Sequence, residues 1–282
     1  MHLAEILDLE PTGVDEWRAQ PTSGQGRPDI FGGQVAGQAL LAAAQTVDPT
    51  HGANSVHCSF LRRGQSTLPL DIRVERTRAG RTYSNRRVEV RQLDKVIFTM
   101  LASFHLDEPG AEFDHAMPAG IPDPDDIVEP PDAFRWDPAI EMRSVDTSPP
   151  AVRWWGRITG DLPDDANVHR CALLYASDLR AGGAAMMAIG FPVWGEPPPE
   201  GLGPERPAPE SQGPPSGGTF GSLDHALWFH RAPRADEWFF CDVRPLTVRD
   251  SRGLVLGTIF DRAGQHLATF AQEMFLKVEE VD

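Results

Sequence analysis

Two segments of the chain are apolar on nearly every face, and each is followed by a train of segments whose polarity alternates. Gly33-Gln34-Val35-Ala36-Gly37-Gln38-Ala39-Leu40-Leu41-Ala42-Ala43-Ala44 reads as a helix with no polar stripe, and such a helix must be surrounded by protein. After it, Leu70 to Thr77 and Arg87 to Arg91 alternate with period two, and Val96 to Leu106 is a long apolar-rich run. Ala79-Gly80 and Leu93-Asp94 supply the turns between them. In the second half, Ala172 to Ala188 is again rich in Ala and Leu and predicts one helix. Trp238 to Val248, Leu254 to Asp261 and His266 to Lys277 predict three strands, with turns at 250–253 and at Ala263-Gly264.

The halves align with each other. The last two strands match without gaps at an offset of 170, which places Val90 on Phe260, Ile97 on Leu267 and Phe104 on Met274. Ser55 to Leu61 matches Ser222 to Trp228 at an offset of 167, and the helices match at about 140. One buried helix wrapped by a long antiparallel meander, occurring twice, is the hotdog architecture in tandem. The expected class is therefore α+β, a double hotdog with two antiparallel sheets, each wrapping a buried helix. Residues 1–112 form the expected N-terminal domain and 113–150 a linker rich in Pro, Asp and Glu. Residues 151–282 form the C-terminal domain, interrupted at about 193–218 by a Pro/Gly-rich insertion.

Composition narrows the possible functions. With 40% hydrophobic and 24% charged residues, the 282-residue chain is ordinary for a soluble globular protein. No run approaches the roughly 20 apolar residues of a membrane helix, and the first residues lack the pattern of a secretory leader. Three scattered cysteines, Cys58, Cys171 and Cys241, argue for buried thiols in a reducing cytoplasm, against disulfides or a zinc site. A net charge of −15 opposes nucleic acid as a partner. One segment runs against it: between Arg62 and Lys95 lie ten basic residues and four acidic ones. Such a stretch fits a small phosphate-bearing ligand or a solvated strand face. No GxSxG elbow, HExxH motif, Walker loop or dinucleotide fingerprint occurs, so no metal and no organic cofactor is expected. Asp165-Ala166-Asn167-Val168-His169 is superficially like a hydratase motif but lacks its proline, and its histidine comes one residue early.

Several short motifs stand in order along the chain: Phe31-Gly32-Gly33-Gln34-Val35-x-Gly37-Gln38-Ala39-Leu40, Phe60-Leu61-Arg62-x-Gly64, Arg86-Arg87-Val88 and Ala102-Ser103-Phe104. The second half adds Tyr175-Ala176-Ser177-Asp178-Leu179, Asp224-His225-x-x-Trp228-Phe229-His230-Arg231 and Gln272-Glu273. Together they resemble the bacterial acyl-CoA thioesterase II family over all but the two Pro-rich stretches. The resemblance implies an acyl-CoA substrate, a homodimer or homotetramer, and direct hydrolysis by a water held by an aspartate, a hydroxyl residue and a glutamine. Carried over by motif, these are Asp178, Ser222 and Gln272, with Ser222 standing where the family more often has threonine.

The residue types suit the reaction. A carboxylate can take a proton from water, while a hydroxyl and a primary amide each donate and accept, so both can aim that water. Backbone N–H groups at a helix start can polarise the thioester carbonyl. Asp178 aligns with Gln38, Ser222 with Ser55 and Gln272 with Ala102, so the first half is expected to lack a working site. Arg76, Arg78 and Arg81, at or beside a predicted turn, are the expected contacts for the CoA phosphates. His57, in a strand expected to line the pocket, reads either as a substrate contact or as a satisfied histidine; His225 and His230 read as satisfied histidines. Two other enzymatic readings remain, an enoyl-thioester hydratase and an acyl-carrier-protein thioesterase, along with a noncatalytic acyl-CoA-binding protein.

Overall fold

In the computed structural model, residues 1–22, 28–128, 137–145, 151–190 and 218–278 are described. The order is α1 (Leu3–Ile6), β1 (Leu9–Gly13), β2 (Glu16–Ala19), α2 (Gly32–Ala44), β3 (His51–Phe60), β4 (Leu70–Ala79), β5 (Tyr83–Gln92) and β6 (Lys95–Leu106). The second half runs β7 (Ile140–Val145), β8 (Val152–Ile158), α3 (Ala166–Ser177), α4 (Ala181–Ala188), β9 (Gly218–Ser222), β10 (Asp224–Phe229), β11 (Phe239–Arg249), β12 (Arg252–Asp261) and β13 (His266–Val278). β7 lies inside the stretch read as a linker, where it pairs with β8. The Pro/Gly-rich insertion falls outside the described residues except for its last residue, Gly218.

The strands form one antiparallel sheet in the order β1-β2-β4-β5-β6-β3-β10-β13-β12-β11-β8-β7, with β9 on β13. The expectation of two separate sheets is corrected here. β3 and β10 pair directly, Asp224 opposite Ser59 through Trp228 opposite Ser55. Each would otherwise present an unpaired edge, and joining the two edges satisfies a row of backbone donors and acceptors. The strand order reads nearly the same from either end of this seam.

α2 packs against β3, β4, β5 and β6, and it is buried on all sides because it has no polar face to show to water. The single predicted helix at 172–188 is two helices. α3 starts earlier, where the Asp165 carboxylate accepts from the backbone N–H of Asn167 and Val168 at 2.7 and 3.3 Å. It ends at Asp178, and Arg180 then takes a left-handed backbone conformation, φ 61°, before α4 begins on β11 and β12. The break turns the Asp178 side chain out of the helix. α3 packs against α2, so the core is continuous between the halves. Among the described residues no helix is long and apolar enough to cross a membrane.

Candidate active site

Asp178, Ser222 and Gln272 come from three elements and meet. Gln272 on β13 donates from Nε2 to Asp178 Oδ1 at 2.6 Å and to Ser222 Oγ at 2.7 Å. Ser222, the last residue of β9, donates to the same carboxylate oxygen at 3.2 Å. β9 pairs Ser222 with Met274, two residues from Gln272, and this register brings the hydroxyl beside the amide. Gln272 is buried and the other two are half-buried. Behind Gln272, His225 on β10 places Nδ1 2.9 Å from Oε1 and Nε2 2.9 Å from Ser177 Oγ.

The three residues line a cavity of about 560 Å³. Phe31, Val35, Phe60, Phe98, Phe220 and Met274 supply apolar wall, and Arg62, Arg63 and Arg180 also border the space. The first turn of α2 borders it at Gly32, and the first N–H groups of a helix have no partner within it. Gly32 is required by proximity: a Cβ there would lie 2.7 Å from Asp178 Oδ2 and 3.0 Å from Phe60. Cys58, whose titration is influenced by Asp178, has its thiol pushed well up by burial, which keeps it protonated and unreactive. Among the described residues no cluster of His, Cys, Asp and Glu has metal-binding geometry.

The other residues singled out from sequence lie elsewhere. Arg76 is bound fork-on to Asp15 at 2.8 and 2.9 Å. Arg78 and Arg81 sit at the β4–β5 turn, next to Tyr83, which pairs with His105 on β6. The cavity opens at Ile97, at the other end of that strand, roughly 25 Å away at about 3.3 Å per residue. These three arginines and the cluster of Asp178, Ser222 and Gln272 therefore do not share a cavity. Among the described residues, the cations that border it are Arg62, Arg63 and Arg180; sequence could have flagged the first two, which lie in the Phe60-Leu61-Arg62-x-Gly64 motif. His57 projects from the outer face of the sheet, edge-on to Trp228 with ring centroids 5.4 Å apart, and lines no part of this cavity. His169 accepts at Nδ1 from the Ala235 N–H, a structural role beside the Asp165 cap.

A second cavity, of about 480 Å³, is the counterpart of the first. β3 pairs with β6 and β10 with β13 in registers that relate the strands by 169, not 167. Phe60, Arg62 and Gly221 therefore correspond to Phe229, Arg231 and Gly52, all of which line the second cavity. Ser222 corresponds to Ala53, not Ser55, and Gln272 to Ala102. On the side where Asp178 would stand, Gln38 donates to the Ile6 carbonyl at 2.5 Å, and Leu3, Ile6 and Leu7 of the α1 segment fill the core there. At the positions that correspond to Asp178, Ser222 and Gln272, the first half thus has Gln38, Ala53 and Ala102, with no carboxylate and no hydroxyl.

Residues 19–105 match the acyl-CoA thioesterase N-terminal domain family, and residues 109–276 match the acyl-CoA thioesterase C-terminal domain family. The chain is 30% identical to acyl-coenzyme A thioesterase 8 of Rattus norvegicus, over 96% of this chain and 87% of that protein. It is 33% identical to the solved acyl-CoA thioesterase II TesB2 of Mycobacterium marinum, with a TM-score of 0.78 over 99% of each chain. A hot dog fold protein from Alicyclobacillus acidocaldarius superposes with a TM-score of 0.75 over 99% of this chain and 100% of that one; at 17% identity this likeness speaks for the fold alone.

Proposed function

We propose that this chain, which belongs to the acyl-CoA thioesterase family and hydrolyses acyl-CoA thioesters, does so by direct attack of a water held by Asp178, Ser222 and Gln272. The observation that carries the reading is the convergence of the Ser222 hydroxyl and the Gln272 amide on Asp178 Oδ1, beside the apolar wall of the cavity. Asp178 takes a proton as the water oxygen attacks the carbonyl carbon. Negative charge builds on the carbonyl oxygen, where the N–H groups at the start of α2 stabilise it. When the C–S bond breaks, the proton passes to the departing thiolate, giving free CoA and the carboxylic acid. Single turnover in ¹⁸O-labelled water tests this route. Direct attack labels the released acid, whereas label on Asp178 and an unlabelled acid would mean a covalent acyl-aspartate.

The tandem reading of the hotdog fold is supported by the strand order about the β3–β10 seam and by the second cavity at a matching register. A homo-oligomer is supported by a row of partners across the outer sheet face, Leu101, His57, Ala226, Ala271 and Leu256, in which both leucines are exposed.

The loss of one buried hydrogen bond sets the scale for Ser222. Ser222→Ala raises the barrier by about 1–3 kcal/mol, while Ser222→Thr keeps the hydroxyl and most of the activity. Thiol release from a panel of acyl-CoAs measures both, and full activity in the alanine variant would make Ser222 structural.

Arg62 and Arg63 are exposed at the cavity border, where the nucleotide end of CoA would rest. Reversing both charges is expected to raise KM for acyl-CoA roughly 30-fold, on the scale of about 1 kcal/mol for each of the two contacts, with kcat largely kept. Reversing Arg78 and Arg81 leaves KM unchanged. A truncated thioester without the nucleotide responds to neither change; a KM that follows Arg78 and Arg81 would return the phosphates to the β4–β5 turn.

A further inference from the structure

Ser177 and His225 are buried behind the catalytic cluster, and neither faces the substrate cavity. The proton positions between them follow from the far end of the chain of contacts. Asp178, acting as a base, offers only acceptor oxygens. The Gln272 group 2.6 Å from it must then be the amide nitrogen, which also reaches Ser222. Oε1 therefore faces His225, and an amide oxygen only accepts, so Nδ1 of His225 must carry a proton. Burial pushes the His225 pKa below its usual value despite the nearby carboxylates of Asp178 and Asp224, so the ring is neutral. Nε2 then has a lone pair and accepts from the Ser177 hydroxyl. That hydroxyl also lies 2.8 Å from the Leu174 carbonyl; sending its single proton there would set two lone pairs against each other across 2.9 Å.

We propose that His225, oriented by Ser177, is a positioning residue that fixes which way round the Gln272 amide stands. A half-turn of that amide would set Oε1 against the Asp178 carboxylate and remove the donor from Ser222. The water site would then present acceptors where it needs a donor. The His225 ring is also held from the side by Phe270, with centroids 5.3 Å apart and planes inclined by 31°, so it cannot easily rotate to follow a flipped amide. The inference rests on the reading of Gln272 as a water-holding group.

The test uses the full chain and a double-mutant cycle. His225→Phe keeps a ring on Phe270 but removes the donor; it is expected to lower kcat roughly 10- to 100-fold, the scale of losing one oriented donor, with KM little changed. His225→Asn puts an amide nitrogen close to the former Nδ1 and recovers most of the loss. In a Gln272→Ala background, His225→Phe costs no more than about twofold, because the group it positions is gone. The same loss in both backgrounds would show that the histidine acts by some other route and would overturn the proposal. A readout that needs no variant is the ¹⁵N spectrum of the His225 ring. A proton on Nδ1 with bare Nε2 supports the proposal; a proton on Nε2 with bare Nδ1 overturns it. Full turnover in Gln272→Ala would remove the catalytic reading of Gln272, and the ring tautomer would still decide the positioning.

Discussion

Asp178→Ala is expected to lower turnover by roughly 10²–10⁴-fold, the range for a positioned general base, with the protein still folded. Asp178 lies in the break between α3 and α4, half-buried, so truncating it leaves no large core void. Gln38→Ala, its counterpart in the first half, should do the reverse. Gln38 is buried in α2 and ties it to the Ile6 carbonyl, so its loss costs about 1–3 kcal/mol of stability from an unpaired acceptor and a small cavity. Turnover at a temperature where the variant is folded should stay within about twofold. Steady-state thiol release and thermal unfolding of the two variants measure the contrast. Equal catalytic losses in two folded proteins would mean that both cavities work. The expectation of one site depends on Ala53 and Ala102 standing where Ser222 and Gln272 stand in the other half.

The elements carrying that contrast were unequally visible in the sequence. The β5–β6 and β12–β13 hairpins were legible because their period-two alternation and turn residues agree, and because the two copies match at one offset without gaps. The register of β3 was not. It carries an irregularity between Ala53 and Ser55, and β9 and β10 pair separately with β13, so counting along the chain misplaced Ser222 by two positions. The two-helix form of 166–188 was hidden because Arg180 is an ordinary residue in a left-handed conformation; no glycine or proline marked the break. The joining of the halves into one sheet was also hidden. Alternation reports which face of a strand is buried, not whether its edge finds a partner in the other half. The arginines misled for a related reason. Charge density along the sequence drew attention to the β4–β5 turn, yet Arg76 is occupied by Asp15, and Arg86 is buried with its guanidinium spent on Thr46 and the carbonyls of Arg78 and Asn85. Asp178, Ser222 and Gln272 were found only through motif resemblance. Their spacing in sequence carries no period, and their meeting is a product of the β9–β13 register and the α3–α4 break.

Gly32→Ala separates catalytic geometry from stability more sharply than any substitution in the cluster itself. Gly32 opens α2, where alanine is the better helix former, by up to about 1 kcal/mol, so the variant should melt no lower than the parent unless crowding offsets the gain. Crowding is what the added methyl does locally. It would lie 2.7 Å from Asp178 Oδ2 and 3.0 Å from Phe60, closer than carbon approaches either group without displacement. The aromatic ring is packed against Phe98, with centroids 5.2 Å apart, so the carboxylate is the group that moves. Its Oδ1 is held at 2.6 Å by Gln272, and a shift of the order of 1 Å breaks that contact and tilts the base away from the water. Misplacement of that size costs roughly 10²-fold in rate, and that is the expected fall in kcat for Gly32→Ala. Gly110→Ala, at a position with open space around it, serves as the neutral comparison. The measurement pairs kcat for acyl-CoA hydrolysis with the unfolding midpoint. A variant that keeps both full activity and full stability would mean that the Asp178 carboxylate does not sit against the start of α2, and the arrangement of base and helix N-terminus around the thioester would have to be redrawn.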